Sequence, residues 1–520
     1  MLRLHIRKIV EKTSGIKDFS LERKEGEKFG DYSSNVAFLL AKKAGGNPHD
    51  TAEELKRKLE SKKLFKKVDV AGPGFLNFYV QDHKIAEHFY RLSKAKGLPR
   101  FTMGKGRKIQ VEFISANPTG PLTLANGRGG FLGDVLSNVF CLGGFHVERE
   151  YYVNDTGNQI RVLGESLLSA VGILPPESHF YKGEYIKEWA KKNVAIVKRL
   201  KNDPLKLGER AAKDFLSRIK NVVGGKARIH FDRWTSEASL HKKSFVSKAL
   251  TLFRKKGLVY EKDGATWLKT SDFGDDKDRV LVTSDHYPTY FLADSGHYLE
   301  TVSRGFRRKI NILGPDHYGY IGRIQAVAKI AGLKKSEIIV TQAIRLVKNG
   351  KEVTMSKRSG TFITFEELIG KIGLDSARYF FLARSPLTHI GIDINLAKKR
   401  SQENPVFYVQ YAHARMASIL RKAAKKPIKF AFNFGKAELD FIKKILAVHD
   451  VLEDTARDHQ VHRLTNYAYE FAEAFSIFYR DVKVLGSDKD EPRRLFIIKH
   501  AKNILASLLS LMGISAPEKM

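Results

Sequence analysis

The chain has 520 residues, 42% of them hydrophobic and 11% aromatic, which is too long for one compact domain and too apolar for global disorder; roughly three or four domains are expected. Against 57 Asp and Glu stand 91 Lys and Arg, a formal charge of +34, which exceeds what solubility needs and points to a polyanionic partner, nucleic acid first and an anionic membrane surface second. The single cysteine, Cys141, excludes an intramolecular disulfide and a Cys-rich zinc cluster. No apolar run approaches the ~18 residues of a membrane span, and the charges in Met1-Leu2-Arg3-Leu4-His5-Ile6-Arg7 make a poor signal peptide; a soluble cytoplasmic protein without a membrane partner is expected.

Residues 1–92 read as a first unit. A helical pattern covers Asn35 to Ala44, and a very basic amphipathic stretch runs from Glu53 to Lys67. The turn residues Gly72-Pro73-Gly74, set between apolar runs from Val68 to Phe78, predict strand, turn and strand. Residues 93–107 are rich in Lys, Gly and Pro, lack periodicity and read as a linker. A strand is predicted from Ile109 to Ile114, then a loop from Ser115 to Asn126. The helix that follows carries Phe131, Leu132, Val135, Leu136, Val139 and Phe140 on one face and stops at Gly143-Gly144. Val147 to Val153 is another strand. This order implies a parallel sheet with its ligand at the C-terminal edge of the strands. Residues 165–260 are mainly helical and charged and read as an insertion. Strand and helix signals return from Val280 to Arg345, and from Ala397 onward the chain is almost wholly helix-periodic. No internal repeat is evident.

Two segments carry chemistry. Helix N-termini present unpaired N–H groups that suit phosphate, and Asn126-Gly127-Arg128-Gly129-Gly130 would let a ligand approach such an end; a Gly-rich turn without a ligand explains the same residues. A dinucleotide site is a competing reading, because Gly127, Gly129 and Gly133 nearly spell G-x-G-x-x-G, with Glu148 and Glu150 beyond them. Its register fails, since Leu132 takes the last glycine position, and the predicted loop is too long for that tight turn. The second segment places Lys357 and Arg358 between Gly350 and Gly360. Two cations between flexible glycines suit a loop closing on phosphates; taken alone, the motif also fits a solvated charged loop.

Val111 to Gly129 and Thr354-Met355-Ser356-Lys357-Arg358-Ser359-Gly360 together resemble the two signatures of class I aminoacyl-tRNA synthetases. Further matches resemble the bacterial arginyl-tRNA synthetases: Gly30-Asp31-Tyr32-Ser33-Ser34-Asn35, Tyr151 to Ile160, Phe231 to Glu237, Asp276 to Val280, Asn404 to Arg415 and Ser515 to Met520. The resemblance spans essentially the whole chain. It implies an α/β architecture: a Rossmann-like parallel-sheet catalytic domain at 108–395 with a helical insertion at about 165–260. An α+β domain contacting the tRNA elbow occupies 1–92, and an all-α anticodon-binding domain occupies 396–520.

The implied activity is that of an arginine–tRNA ligase with ATP, arginine and the tRNA for arginine as partners. Mg2+ accompanies ATP, and no protein-bound metal, tightly bound zinc or organic cofactor is implied; a monomer is expected. Arginyl-adenylate forms first, in a step that needs bound tRNA, and the terminal ribose hydroxyl then attacks it. By resemblance the catalytic residues are Lys357, Thr123 and Asn126. ATP is met by Thr123, Ala125, Asn126, Gly127, Met355, Ser356, Lys357 and Arg358. Arginine is met by Asn117, Glu237, Tyr290, Asp294, Asp316 and His317, with Glu112 as a supporting acid; a guanidinium has five donors and needs acceptors. Tyr408, Tyr411, His413 and Arg415 would meet the tRNA, although helical spacing suits Tyr408 and Tyr411 equally to core. A basic face of Lys56, Arg57, Lys62, Lys63, Lys66 and Lys67 suits phosphates without reading sequence.

The departures from the family pattern are specific. Thr123 and Asn126 stand where the first signature has histidines; their hydroxyl and amide can also donate to phosphates, and a Thr-x-x-Asn version occurs in tryptophanyl-tRNA synthetases. Ala125 replaces the usual glycine, and its methyl group should crowd adenine. Asp294-Ser295-Gly296-His297-Tyr298 replaces Asp-Ile-Ala-Tyr-His, Asp285-His286-Tyr287 replaces Asp-Gly-Thr, and Tyr318 stands where a second His is frequent. A catalytically silent RNA-binding relative is the rival reading. The retained Lys357, Asn117, Glu237, Tyr290 and Asp294 speak against it; Ala125 and the Ser295 to Tyr298 run speak for it.

Overall fold

The computed structural model describes residues 1–24, 29–348, 351–352 and 363–520. The first unit comprises α1 (Leu2–Ser14), β1 (Leu21–Arg23), β2 (Tyr32–Ser34), α2 (Val36–Ala44), α3 (Pro48–Glu60), β3 (Phe65–Ala71), β4 (Phe75–Val80) and α4 (Asp82–Ser93). Its antiparallel sheet has the order β1-β2-β4-β3, with β3 and β4 joined at the predicted turn. Asn47 caps α3 by accepting from the backbone of His49 and Asp50, and Pro48 opens the helix where a missing N–H costs nothing. The linker 94–107 has no regular structure but is tied down, since Phe101 N–H donates to Leu142 O and Gly104 N–H to Gly143 O.

The second unit is built on a five-stranded parallel sheet. Its chain order begins β5 (Lys108–Glu112), α5 (Leu124–Leu142), β6 (His146–Val153), α6 (Asn158–Ala170), α7 (Glu184–Lys192), α8 (Val194–Arg199), α9 (Pro204–Asn221), β7 (Arg233–Ser236), α10 (Glu237–Lys242) and α11 (Phe245–Lys255). A small antiparallel sheet of β8 (Val259–Lys262), β9 (Ala265–Leu268) and β10 (Arg279–Val282) leads to α12 (Tyr290–Ser303), β11 (Arg308–Leu313), α13 (Ile321–Ala331) and β12 (Lys335–Val340). Spatial order is β12-β11-β5-β6-β7. The chain winds outward through β6 and β7, then returns to the other side of β5 as β11. That reversal leaves a crevice beyond the C-terminal ends of β5 and β11, where open α/β sheets bind ligands.

After β12 come β13 (Ile344–Lys348), β14 (Lys351–Glu352), α14 (Phe365–Ile372), α15 (Leu374–Leu382), β15 (Ile390–Asp393) and α16 (Ile394–Lys398). The last unit is the expected helical bundle, α17 (Pro405–Lys422), α18 (Lys436–Asp458), α19 (His462–Asp481) and α20 (Glu491–Leu511). The first unit docks on it. Buried Arg3 reaches Asp450, Glu453 and Asp454 on α18, and Tyr32 Oη donates to Asp450 Oδ2 at 2.6 Å. No described helix is long and apolar enough to cross a membrane.

Two boundaries differ from the sequence reading. The strand expected to reach Ile114 ends at Glu112, because Ile114 and Ser115 take left-handed conformations at φ 65° and 41°. A β-branched residue there is strained by about 1–2 kcal/mol. Tyr151 compensates by bridging the next peptide: its hydroxyl accepts from Ala116 N–H at 3.1 Å and donates to Ala116 O at 2.9 Å. Within the expected 165–260 insertion, helix continues from α6 only as far as Lys226, ending in a π-turn, and β7 then returns to the parallel sheet beside β6. A four-residue edge strand amid charge leaves little alternating pattern to detect.

Candidate active site

The crevice opens at the N-terminus of α5. Thr123 caps the helix and Asn126, its third residue, completes a capping box. Thr123 N–H and Thr123 Oγ1 both donate to Asn126 Oδ1, at 2.9 and 2.8 Å, and Asn126 N–H donates back to Thr123 Oγ1 at 3.2 Å. The expected phosphate donors therefore bond first to each other. The Thr123 hydroxyl hydrogen is committed, whereas Asn126 Nδ2 has no hydrogen-bond partner among the described residues. Ala125 sits half-buried in the first turn, where backbone N–H groups lack helical partners.

The glycines of this helix serve packing. A Cβ built on Gly127 would lie 2.2 Å from the Phe365 ring, and one on Gly133 would lie 2.3 Å from Phe113. Phe365 opens α14, the first helix after the second signature, and its N–H donates to Leu122 O at 2.9 Å. Arg128 reaches the other flank. It is 2% exposed and donates to Gln342 O, Ser385 O and Thr388 O at 2.6, 2.8 and 2.8 Å. Burial with no carboxylate in contact lowers its pKa to about 10. The first-signature helix thus grips the chain on both sides of the second signature. Met355, Ser356, Lys357 and Arg358, with Gly350 and Gly360, lie outside the described residues.

The other wall is acidic. Glu237 is the first residue of α10 and is 4% exposed. Asp155 fixes that junction by accepting from Ser236 Oγ at 2.7 Å and Ala238 N–H at 3.0 Å. Tyr152 Oη donates to Glu237 Oε2 at 3.0 Å, and burial raises the carboxyl to about 7. Asp294, on α12, is raised to about 6, again chiefly by burial. Each of the two acids acts electrostatically on Tyr152, and Asp294 also pushes Glu237 upward. Burial thus shifts both carboxyls toward the neutral form. Tyr290, 50% exposed at the start of α12, stands at the rim beside Gly157. Asn117 is exposed on the signature loop, and Asp316 and His317 are exposed on a short turn after β11.

Glu112 is placed as the crevice floor, already paired with the protein. Lys309 Nζ lies 2.8 Å from its Oε2, Asn311 Nδ2 donates to the same oxygen at 2.7 Å, and Ser115 Oγ donates to Oε1 at 3.1 Å. Lys309 also lies 3.3 Å from Glu150, and both side chains are fully buried. Burial alone would raise Glu150, but His297 and Lys309 hold it well below the ordinary range. Glu148 pairs with Arg304 and Glu150 faces this interior network, so neither is presented to a ribose. Sequence reasoning gave no site role of their own to Tyr152, His297, Lys309 and Arg128, and raised Glu150 only in the dinucleotide reading that it set aside. Charged residues in a strand read as surface, and their pairing across β5, β6 and β11 leaves no local pattern.

On α17, His413 is buried, with Nδ1 2.9 Å from Pro517 O. It belongs to the core under the C-terminal tail, which corrects its expected place on the tRNA surface; helical spacing could not separate the two. Arg415 is exposed over Tyr479 at 4.5 Å and donates to Tyr411 Oη at 2.8 Å. Half-buried Tyr408 faces Tyr469 at 5.1 Å. The α19 tyrosines Tyr469 and Tyr479 extend this aromatic face beyond what the α17 sequence suggested.

Three family models match in order: the arginyl tRNA synthetase N terminal domain over residues 1–80, the class I (R) tRNA synthetase catalytic domain over 91–381, and the DALR anticodon binding domain over 409–520. The chain is 39% identical over 540 residues to an arginine–tRNA ligase of Anoxybacillus flavithermus, covering 99% of this chain and 97% of that one. It is 39% identical over 537 residues to the arginine–tRNA ligase of Bacillus subtilis, covering 98% and 95%. Thermus thermophilus arginyl-tRNA synthetase shares the fold with a TM-score of 0.81 at 20% identity, both chains being fully covered.

Proposed function

The chain belongs to the class I arginyl-tRNA synthetases, and from that membership we propose how its crevice performs ATP-dependent arginine–tRNA ligation. The guanidinium enters between Glu237 and Asp294, with Tyr290 over it at the rim and Asn117 near the amino-acid end. The floor pair Glu112–Lys309 fixes β5 against β11 and leaves the substrate cation to the two raised carboxyls. Asp316 and His317 close the side next to β11.

ATP enters with Mg2+ as substrate. Its phosphates meet the first-turn N–H groups of α5 and Asn126 Nδ2, while Thr123 orients that amide. Gly127 keeps the helix end close to α14, and Ala125 touches adenine. The arginine carboxylate attacks the α-phosphorus, the α–β bridge breaks, and pyrophosphate departs toward Lys357 and Arg358, with Met355 and Ser356 also assigned to ATP. Cations aimed at the departing charge stabilise the transition state more than the bound substrate. The terminal ribose hydroxyl of the tRNA then attacks the adenylate carbonyl and AMP leaves. No zinc or organic cofactor takes part in this scheme. The acid and imidazole cluster Glu112, Glu150 and His297 already surrounds the Lys309 ammonium.

Transfer RNA lies along the Tyr408, Tyr411, Arg415, Tyr469 and Tyr479 face, with its elbow on the basic side of the first unit. One copy of the chain carries all three units, and we assign it as a cytoplasmic monomer. The observation carrying this reading is the placement of buried Glu237, accepting from Tyr152 Oη, and of Asp294 on α12 beside a helix N-terminus at the sheet's switch point. Arginine-dependent ATP–pyrophosphate exchange, measured with and without tRNA, tests it. Exchange is expected with tRNA and not without. Exchange independent of tRNA overturns the coupling, and no exchange in either case, with tRNA still bound, overturns the site assignment.

A further inference from the structure

One residue at the acidic wall departs from the family pattern, a histidine where that pattern has tyrosine, yet touches the wall's central parts. His297 stands one turn after Asp294 on α12 and is 3% exposed. Its ring lies flat on Tyr152, with centroids 4.5 Å apart and planes 15° apart. Its Nε2 is 3.0 Å from Glu150 Oε2. Glu150 is itself anchored by the Thr235 hydroxyl and Lys309. Tyr152 is the one side chain among the described residues that donates a hydrogen bond to Glu237.

The direction of the Glu237 carboxylate is therefore set by a phenol, and the phenol's ring is set by the imidazole beneath it. Stacking alone lets a ring slide; an edge bond to a buried, immobile carboxylate stops the slide. Only a residue with both a flat face and a polar edge meets the two requirements here. The hydroxyl takes Oε2, while Oε1 accepts no hydrogen bond among the described residues, with His241 Nε2 3.9 Å away.

We propose that His297 is a positioning residue for arginine recognition: tethered to Glu150 and stacked on Tyr152, it fixes the phenol that aims Glu237. This rests on the reading of Glu237 as a guanidinium contact. In tRNA-dependent aminoacylation, His297→Phe keeps a stack without the tether and His297→Gln keeps a tether without the stack. Each is expected to raise the KM for arginine about fivefold to tenfold while leaving the KM for ATP and for tRNA within about twofold. Tyr152→Phe is expected to raise the arginine KM similarly, and the double variant His297→Phe/Tyr152→Phe to add nothing further.

A purely structural role predicts a lowered thermal midpoint with all three KM values unchanged or moved together, and that result overturns the proposal, as does full additivity in the double variant. If His297→Phe does not fold, the comparison of His297→Gln with Tyr152→Phe carries the same test. Glu237→Gln separates the layers. An unchanged arginine KM there defeats the underlying site reading. A raised KM there, with His297 variants at wild-type level, defeats this proposal alone.

Discussion

The two walls of the crevice are built on opposite plans. On the acidic wall, two carboxyls are pushed up from their ordinary protonation chiefly by burial, Glu237 while accepting from Tyr152 Oη and Asp294 within α12. On the nucleotide wall, the polar groups are backbone N–H ends and one amide, and the side chains around them serve packing and capping. The difference separates two ways in which the proposed site would recognise its ligands. A guanidinium of fixed charge would be met by preformed acceptors whose desolvation it relieves. On the described side of the nucleotide wall, a triphosphate would be met by a helix end whose position, more than its side chains, carries the interaction.

The largest effect should come from breaking the acidic wall. Asp294→Asn leaves the shape and removes the charge, and loss of one partner of a buried ion pair costs about 2–5 kcal/mol. The kcat/KM for arginine in pyrophosphate exchange with tRNA present is expected to fall about 100-fold or more, with ATP KM nearly unchanged. A drop below about threefold would remove Asp294 from the guanidinium site.

On the nucleotide wall the sharpest change is steric. Gly127→Ala puts a methyl group onto the Phe365 ring, and overpacking of this kind costs about 1–3 kcal/mol. The helix must back away from α14, which carries the chain out of the second signature. ATP KM is expected to rise about tenfold, arginine binding to change little, and Phe365→Leu in the same chain to recover part of the loss. Equal changes in ATP and arginine KM would show that the walls are not separable.

Titration sharpens the contrast further. Glu237 at about 7 and Asp294 at about 6 stay partly protonated in the arginine-free protein near neutrality. A bound guanidinium favours their ionised forms, so binding expels protons. Arginine affinity is expected to fall about tenfold or more between about pH 8 and pH 5.5. The same shifts govern stability. Between the ordinary value of 4.5 for Glu237 and about 7, the folded arginine-free protein binds more protons than the unfolded chain. Its stability therefore declines as pH rises through that window, and saturating arginine offsets the decline. Calorimetric titration with arginine and thermal midpoints with and without it check both signs.

How much of this was legible beforehand differs between the walls for a physical reason. The helix over Phe131 to Phe140 and the strand up to Val153 follow from apolar periodicity, whereas Gly127, expected to admit a phosphate, is seen to pack against Phe365. The residues that shape the acidic wall are less visible. Lys309, Glu150 and His297 look like surface charge in any window, because burial of a charge is decided by partners on other strands. Tyr152 looks like core, and it is core at its ring and site at its hydroxyl. Ile114 reads as a strand residue because nothing nearby announces a left-handed turn; Tyr151 supports that turn from an adjacent strand. His413 shows the converse error, a polar residue assigned to a surface that the C-terminal tail covers.

The smallest effect tests the point at which sequence reasoning leaned hardest on one methyl group. Ala125 replaces the family's glycine, and adenine would press on it. The structure places it in the first turn of α5, half-buried and between Leu124 and the capping amide of Asn126. Two terms then oppose each other in Ala125→Gly. Removing the methyl group opens contact with the base, while glycine in a helix costs up to about 1 kcal/mol relative to alanine, less in a first turn already held by a capping box. The base contact acts on ATP binding and the propensity term on stability, so the two separate experimentally. ATP affinity should tighten about twofold to threefold while the thermal midpoint falls slightly. A lowered midpoint without tighter ATP binding would mean that adenine never meets this methyl group, and that the nucleotide wall already accommodates alanine through the set of its helix.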